Sequence, residues 1–75
     1  MAQNNAVDVA IDSYIKAMRV APDYKEAYLA AGTLLGNVGQ YDQAIHLWEL
    51  GLKIDPLDQR FKQDIAEAIR LKSKI

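Results

Sequence analysis

A chain of 75 residues is long enough for one small domain with a thin hydrophobic core. It has no cysteine and one histidine, so neither a disulfide framework nor a Cys/His zinc site is expected. Nine basic and ten acidic residues give a formal net charge of −1, which provides no electrostatic reason to expect binding to nucleic acid or to an anionic membrane.

The first predicted element is a helix over residues 5–20. Its apolar residues recur with the i, i+3, i+4, i+7 spacing of one helix face: Val7, Ala10, Ile11, Tyr14, Ile15 and Met18. Pro22 cannot continue this helix, because proline lacks the backbone N–H. Asp23 and Glu26 then have the spacing of a capping box, so we expect Asp23 to cap the next helix.

A second helix is predicted over residues 24–37, with four residues on one face: Tyr28, Ala31, Gly32 and Leu35. The sequence GNVGQ that ends it is typical of a turn, in which Gly39 is expected to have a left-handed backbone.

A third helix is predicted over residues 41–54 and a fourth over residues 59–73, with Asp58 as the N-cap of the fourth. The buried stripe expected for the fourth helix is Phe61, Ile65, Ala66 and Ile69. No strand is needed, and the connections are short enough to make neighbouring helices antiparallel. The sequence therefore predicts an all-α domain of about four helices.

A shift of 34 residues places residues of the same type on one another. The matching pairs are Asp8 and Asp42, Ala10 and Ala44, Ile11 and Ile45, Tyr14 and Trp48, Ala17 and Gly51, Val20 and Ile54, and Pro22 and Pro56. A period of this length is typical of stacked helical repeats, in which one helix pair cannot bury its apolar face alone.

Residues 25–58 resemble one complete tetratricopeptide repeat, whose pattern is W-x₂-L-G-x₂-Y…A-x₃-F…P. The residues at the pattern positions are, in order, Tyr28, Ala31, Gly32, Leu35, Ala44, Trp48 and Pro56. The resemblance implies antiparallel helix-turn-helix repeats, as in a fragment of an α-solenoid. Gly51 stands where alanine is usual, so we expect either a bulky neighbour or loose packing there.

We expect a single repeat domain over residues 1–75. Residues 5–22 would be the second helix of a partial repeat, residues 23–58 a complete repeat, and residues 59–73 a closing helix or the first helix of a next repeat. A start halfway through a repeat favours a piece of a longer protein, although a short adaptor protein is also consistent with it.

The resemblance implies a protein-interaction scaffold whose first helices line a concave groove for a peptide or a helix of a partner protein. The residues at the groove positions are Glu26, Leu29, Ala30, Thr33, Gly36, Asn37, Arg60, Gln63, Asp64 and Glu67. The clamp for a C-terminal carboxylate found in some members is not expected, because Leu29, Ala30 and Thr33 do not match it. Packing on a neighbouring helix is an equally strong interpretation for Leu29.

The alternative function is a structural oligomerisation module, in which apolar helix faces form a homodimer. The residues expected to mediate this self-association are Val7, Ile11, Ile15, Leu50 and Leu57.

No residue pattern indicates catalysis. His46 falls on a position expected to face solvent, and neither Ser13 nor Ser73 lies in a Gly-x-Ser-x-Gly motif. We therefore expect no enzyme activity, no cofactor and no bound metal, and a protein as the partner, with neither nucleic acid nor membrane insertion. The sequence shows no secretory signal, which favours a cytoplasmic protein.

Overall fold

The computed structural model describes the backbone of residues 2–74 and the side chains of residues 8–74. Its helices are α1 (Ala2–Val20), α2 (Lys25–Asn37), α3 (Tyr41–Ile54) and α4 (Gln59–Ser73). The described residues contain no strand, so the predicted all-α class is confirmed. Helices α3 and α4 have the predicted bounds, whereas α1 begins at Ala2 rather than at residue 5.

Short connections over residues 21–24, 38–40 and 55–58 make consecutive helices antiparallel. Each helix packs on the next one, and α2 also touches α4. The Cα atoms extend over 38 × 36 × 13 Å, so the helices form a thin slab. In a slab of this thickness every helix keeps one face towards solvent.

The turns before α2 and α4 repeat the same backbone hydrogen bonds 34 residues apart. In the first turn, the N–H of Ala21 donates to Ala17 O (2.9 Å) and the N–H of Tyr24 donates to Ala21 O (2.9 Å). In the second, the N–H of Asp55 donates to Gly51 O (3.0 Å) and the N–H of Asp58 donates to Asp55 O (3.1 Å). The sequence period therefore corresponds to a repeated backbone conformation.

Two of the three expected helix-end signals are confirmed. Asp58 caps α4 by accepting a hydrogen bond from the Arg60 N–H at 3.0 Å, and Gly39 has a positive φ of 85°. The capping box expected at Asp23 is absent, because the N-cap residue of α2 is Tyr24 and its side chain makes no capping hydrogen bond. The carboxylate of Glu26 is held by Arg60 instead, so it does not turn back towards the start of α2.

Among the residues whose side chains are described, the buried hydrophobic core consists of six: Ala27, Ala31, Ala44, Trp48, Phe61 and Ala68. The stripe predicted for α4 was wrong at two positions, since Ala66 is exposed and Ile69 is 50% exposed. Helix α4 contacts α2 and α3 along the side that carries Phe61 and Ala68, which are two helical turns apart. Ala66 and Ile69 point away from that side.

Two glycines leave space for two aromatic rings. A Cβ atom at Gly32 would overlap the indole ring of Trp48, and a Cβ atom at Gly51 would overlap the ring of Phe61. The indole N–H of Trp48 also donates a hydrogen bond to the carbonyl of Leu29 at 3.3 Å. The position of Gly51 is thus filled by a bulky neighbour rather than loosely packed.

Replacing Gly32 with alanine tests the contact with Trp48. Alanine favours a helix by about 1 kcal/mol over glycine, but overpacking a filled site costs about 1–3 kcal/mol. We expect Gly32→Ala to lower the free energy of unfolding, measured by urea denaturation. The matched control is Gly36→Ala, whose Cβ atom would lie 3.6 Å from Trp48 Cη2, an ordinary contact, so this variant should be as stable as the wild type or more so. Equal stabilisation by both substitutions would contradict the close contact.

Candidate functional site

A surface cavity of about 170 Å³ lies between α2, α3 and α4, and we call it the α2–α4 cavity. It is lined by Thr33, Gly36, Asn37, Tyr41, Trp48, Asp64, Glu67, Ala68 and Leu71. Trp48 and Ala68 are buried, so they form an apolar floor, whereas Thr33, Asn37 and Glu67 are exposed at the walls.

Helical spacing brings the wall residues together. Thr33 and Asn37 are four residues apart on α2, and Asp64 and Leu71 are seven residues apart on α4, so each pair shares one helix face. Gly36 lies on α2 beside Asn37 and has no side chain to fill the cavity. The cavity therefore depends on a small residue at this position.

The two walls differ in charge. Asp64 is half-buried, and among the described residues it has no hydrogen-bond or ion-pair partner. Burial raises the pKa of its carboxyl group above the ordinary value, and the charge of Arg60 acts in the opposite direction. Glu67 pairs with Arg70 of its own helix. The α2 wall is neutral, since Thr33 and Asn37 carry no charge. The Thr33 hydroxyl donates to the carbonyl of Leu29 at 2.9 Å.

An ion cluster connects the N-terminal ends of α2 and α4, and it consists of Lys25, Glu26, Asp55, Asp58 and Arg60. Lys25 Nζ lies 2.5 Å from Asp55 Oδ2 and 3.0 Å from Asp58 Oδ2. Arg60 Nη2 lies 2.6 Å from Glu26 Oε2 and 2.8 Å from Asp58 Oδ2. A second nitrogen of Arg60 donates to Glu26 Oε1 at 3.1 Å, so this pair is bidentate.

These contacts favour the ionised form of every carboxylate in the cluster. Hydrogen bonds from Arg60 and Lys25 hold the pKa of Asp58 well below its ordinary value. A hydrogen bond from Arg60 lowers the pKa of Glu26, and one from Lys25 lowers the pKa of Asp55. The cations at this end of the molecule are therefore paired with carboxylates of the same chain.

Half of the predicted groove residues line the cavity: Thr33, Gly36, Asn37, Asp64 and Glu67. Glu26 and Arg60 pair with each other in the ion cluster, and Leu29 is half-buried against the core. Ala30 is half-buried and Gln63 is exposed. A binding role for these ten residues stays a prediction.

Four lining residues were not among the predicted groove residues: Tyr41, Trp48, Ala68 and Leu71. Two of them carry a sequence signal, because Ala68 and Leu71 follow Asp64 by four and seven residues and so lie on the same face of α4. Tyr41 and Trp48 belong to α3, and only the packing of α3 against α2 and α4 brings them to the cavity.

A second concave surface, which we call the α1–α3 groove, has a volume of about 380 Å³. It is lined by five apolar residues, Ile11, Ile15, Met18, Leu35 and Leu47, together with Asp42, Gln43 and His46. Two of the predicted self-association residues, Ile11 and Ile15, therefore lie in one groove. In the described part of the chain, α1 packs on α2 but not on α3, which leaves the groove open.

The other predicted self-association residues lie elsewhere. Leu57 is 84% exposed in the turn before α4, and Leu50 is half-buried on α3. The side chain of Val7 lies outside the described residues.

The side chains weighed for catalysis have ordinary surroundings. His46 is exposed beside the α1–α3 groove, as predicted. The hydroxyls of Ser13 and Ser73 donate to carbonyls of their own helices, at 3.1 Å to Val9 O and at 2.9 Å to Ile69 O. Across the described residues, no helix combines the length and hydropathy that a bilayer crossing requires.

Known proteins similar to this chain were found by sequence. The chain is 30% identical, over 59 residues, to small glutamine-rich tetratricopeptide repeat-containing protein 2 of Mycosarcoma maydis. The aligned residues make up 79% of this chain and 17% of that protein. It is 34% identical, over 53 residues, to protein STIP1 homolog of Dictyostelium discoideum, and these residues make up 71% of this chain and 9% of that protein.

The chain is also 28% identical, over all 75 residues, to protein O-mannosyl-transferase TMTC1 of Mus musculus, which covers 8% of that protein. The chain thus spans less than a fifth of the length of each of these relatives. No protein-family model matches the chain.

Replacing Asp58 with asparagine tests the ion cluster. Asparagine is an equally good N-cap residue, so the variant keeps the cap and loses the charge. A carboxylate with a lowered pKa in the folded state contributes stability that is present above its unfolded pKa, 3.8 here, and is lost as the pH falls below it. We therefore expect the wild type to have the higher melting temperature near pH 6, and the difference to shrink near pH 2.5.

The melting temperature is measured by circular dichroism at both pH values. Asp12→Asn, which removes an exposed carboxylate of α1 outside the cluster, is the matched control. A difference between wild type and Asp58→Asn that stays the same at acid pH would show that the charge of Asp58 does not stabilise the fold.

Proposed function

The chain has tetratricopeptide-repeat sequence and fold, and from this premise we propose that it is a protein-interaction module that binds a segment of a partner protein in the α2–α4 cavity. The observation that carries the proposal is the open cavity between α2, α3 and α4. This cavity combines an apolar floor with polar walls. Binding sites commonly pair an apolar surface with a few polar groups that fix orientation.

The floor of the cavity is held in place by the core. The indole of Trp48 rests on Gly32 and bonds to the carbonyl of Leu29, so the ring has little freedom to rotate. A binding surface that is already ordered loses little conformational entropy when a partner binds. The module therefore works by presenting a rigid surface.

The size of the cavity favours an extended partner. A volume of about 170 Å³ accommodates one side chain rather than a whole helix. Asn37 is exposed at the wall, and its amide both donates and accepts hydrogen bonds, so it suits the backbone of a peptide that passes over the cavity. The partner would place one side chain in the cavity and its main chain along α2.

The proposed function includes no catalytic step. A histidine base needs a nucleophile and an orienting group within hydrogen-bond reach, whereas the Ser13 and Ser73 hydroxyls are bonded to their own helices. The partners and activities of the relatives are not transferred, because the chain matches less than a fifth of each. The cytoplasmic location stays a prediction.

Filling the cavity tests the proposed function. We expect Gly36→Leu to lose partner binding and to stay folded, because leucine favours a helix and its side chain enters the cavity. The measurement is affinity capture with mass spectrometry, followed by mapping of the bound partner through NMR chemical shifts of Thr33, Asn37 and Asp64.

Glu49→Leu, which adds the same side chain at an exposed position of α3 outside the cavity, is the control. A partner that binds Gly36→Leu as tightly as it binds the wild type would contradict the proposed site.

Self-association through the α1–α3 groove is a second candidate function. Its supporting observation is the size of the groove, about 380 Å³, and its five apolar lining residues. Exposed apolar surfaces of this kind are typical of protein–protein contacts. In this alternative the second copy covers the groove and no separate partner is required.

The two candidate functions are separated by the mass in solution. If the chain dimerises through the groove, Ile15→Glu should shift the mass towards the monomer in sedimentation equilibrium at several concentrations, because a buried carboxylate is costly. Lys16→Glu changes the neighbouring exposed residue and should leave the mass unchanged. A wild-type chain that is monomeric at all concentrations would rule out self-association.

A further inference from the structure

We propose that the α2–α4 cavity selects a partner segment that carries a lysine or arginine side chain. This inference rests on the proposed function of the cavity and adds the chemistry of the bound side chain.

The first argument is charge. Four cations of α2 and α4 are paired with carboxylates other than Asp64. Lys25 and Arg60 belong to the ion cluster. Lys72 pairs with Asp42 of α3, and Arg70 pairs with Glu67 at the α4 wall. Asp64 has no such partner among the described residues, although it is half-buried in the wall. The cavity therefore contains a carboxylate without a direct ion pair among the described residues, on which Arg60 acts only through its charge at longer range.

The second argument is the cost of burying Asp64 further. Its carboxyl group already has a raised pKa because burial removes water from the charged form. An apolar side chain in the cavity would remove more water and offer no hydrogen bond in return, whereas a cation would pair with the carboxylate. An anionic side chain would be repelled by Asp64, whereas the charge of Glu67 is already balanced by Arg70. The expected order of preference is therefore cationic, then apolar, then anionic.

The third argument is shape. Lysine and arginine have long aliphatic stems that pack on apolar surface while the charged end reaches a polar group. The cavity lining offers the indole of Trp48, the ring of Tyr41 and the side chain of Leu71 as apolar surface, and the carboxylates lie at the α4 wall. A cation beside an aromatic ring gains further stabilisation. One basic side chain thus satisfies both the floor and the wall.

The test is a selection followed by direct titration. A random peptide library displayed on phage is selected against the full chain, and the selected sequences are made as synthetic peptides without tryptophan. Trp48 is the only tryptophan in the chain, so its fluorescence reports binding in the cavity. We expect a basic residue at one common position, and its replacement with alanine should weaken binding by about three- to tenfold.

Charge reversal at the wall provides the sharper measurement. Asp64→Asn should weaken the selected peptides by a similar factor, and Asp64→Lys should favour peptides in which the basic residue is changed to glutamate. Asp12→Asn, on the exposed face of α1, should leave the affinity unchanged. Circular dichroism of each variant establishes that it is folded.

The outcomes separate the inference from the proposed function. Peptides that bind the wild type, are lost in Gly36→Leu and show no basic preference would overturn the inference and leave the site intact. A basic preference that persists in Asp64→Lys would overturn it as well. A selection that yields no peptide sensitive to Gly36→Leu would overturn the proposed function together with the inference.

Discussion

The contact between the Trp48 indole and Gly32 is the constraint on which the rest of the structure depends. The ring occupies space that any other residue at position 32 would fill, and its N–H satisfies the carbonyl of Leu29. The same ring lines the α2–α4 cavity. One side chain therefore joins α3 to α2 and also provides the surface that a partner would meet, so the fold and the proposed function share a residue.

The ring-on-glycine arrangement occurs at Gly32 and at Gly51, and α1 has no counterpart. Phe61 of α4 rests on Gly51 of α3 as Trp48 rests on Gly32. In α1 the residue equivalent to Gly51 is Ala17, and none of the described side chains of α1 is fully buried. Helix α1 thus adds less to the core than the other helices and leaves the α1–α3 groove open.

Local sequence signals predicted the helices and most of their bounds. The cap of α2 and the buried face of α4 depend on tertiary contacts, which these signals do not show. Gly39 and Asp58 mark helix ends through their own backbone and side chain, so the bounds of α3 and α4 were predictable. The start of α2 was predicted to within one residue, but the capping box expected there does not form, because the carboxylate of Glu26 bonds to a residue 34 positions away. The periodicity of α4 is consistent with a buried face through Ala66 or with one through Ala68. The position of α3 decides that the face through Ala68 is buried. At the site, the resemblance predicted wall residues, but it did not reveal that Glu26 and Arg60 pair with each other.

The division of the cavity into floor and walls determines which residues are free to set specificity. Trp48 and Ala68 are packed in the core, so a change there alters stability together with binding. Asn37 is exposed, and Asp64 has no internal partner among the described residues, so changes at these positions alter the charge and hydrogen bonding of the cavity at little cost to the fold. Since the ion cluster at the helix ends balances its own cations, the charge of the cavity is set mainly by the α4 wall. Substitution at the wall alone would therefore change which charge the cavity favours in a partner side chain.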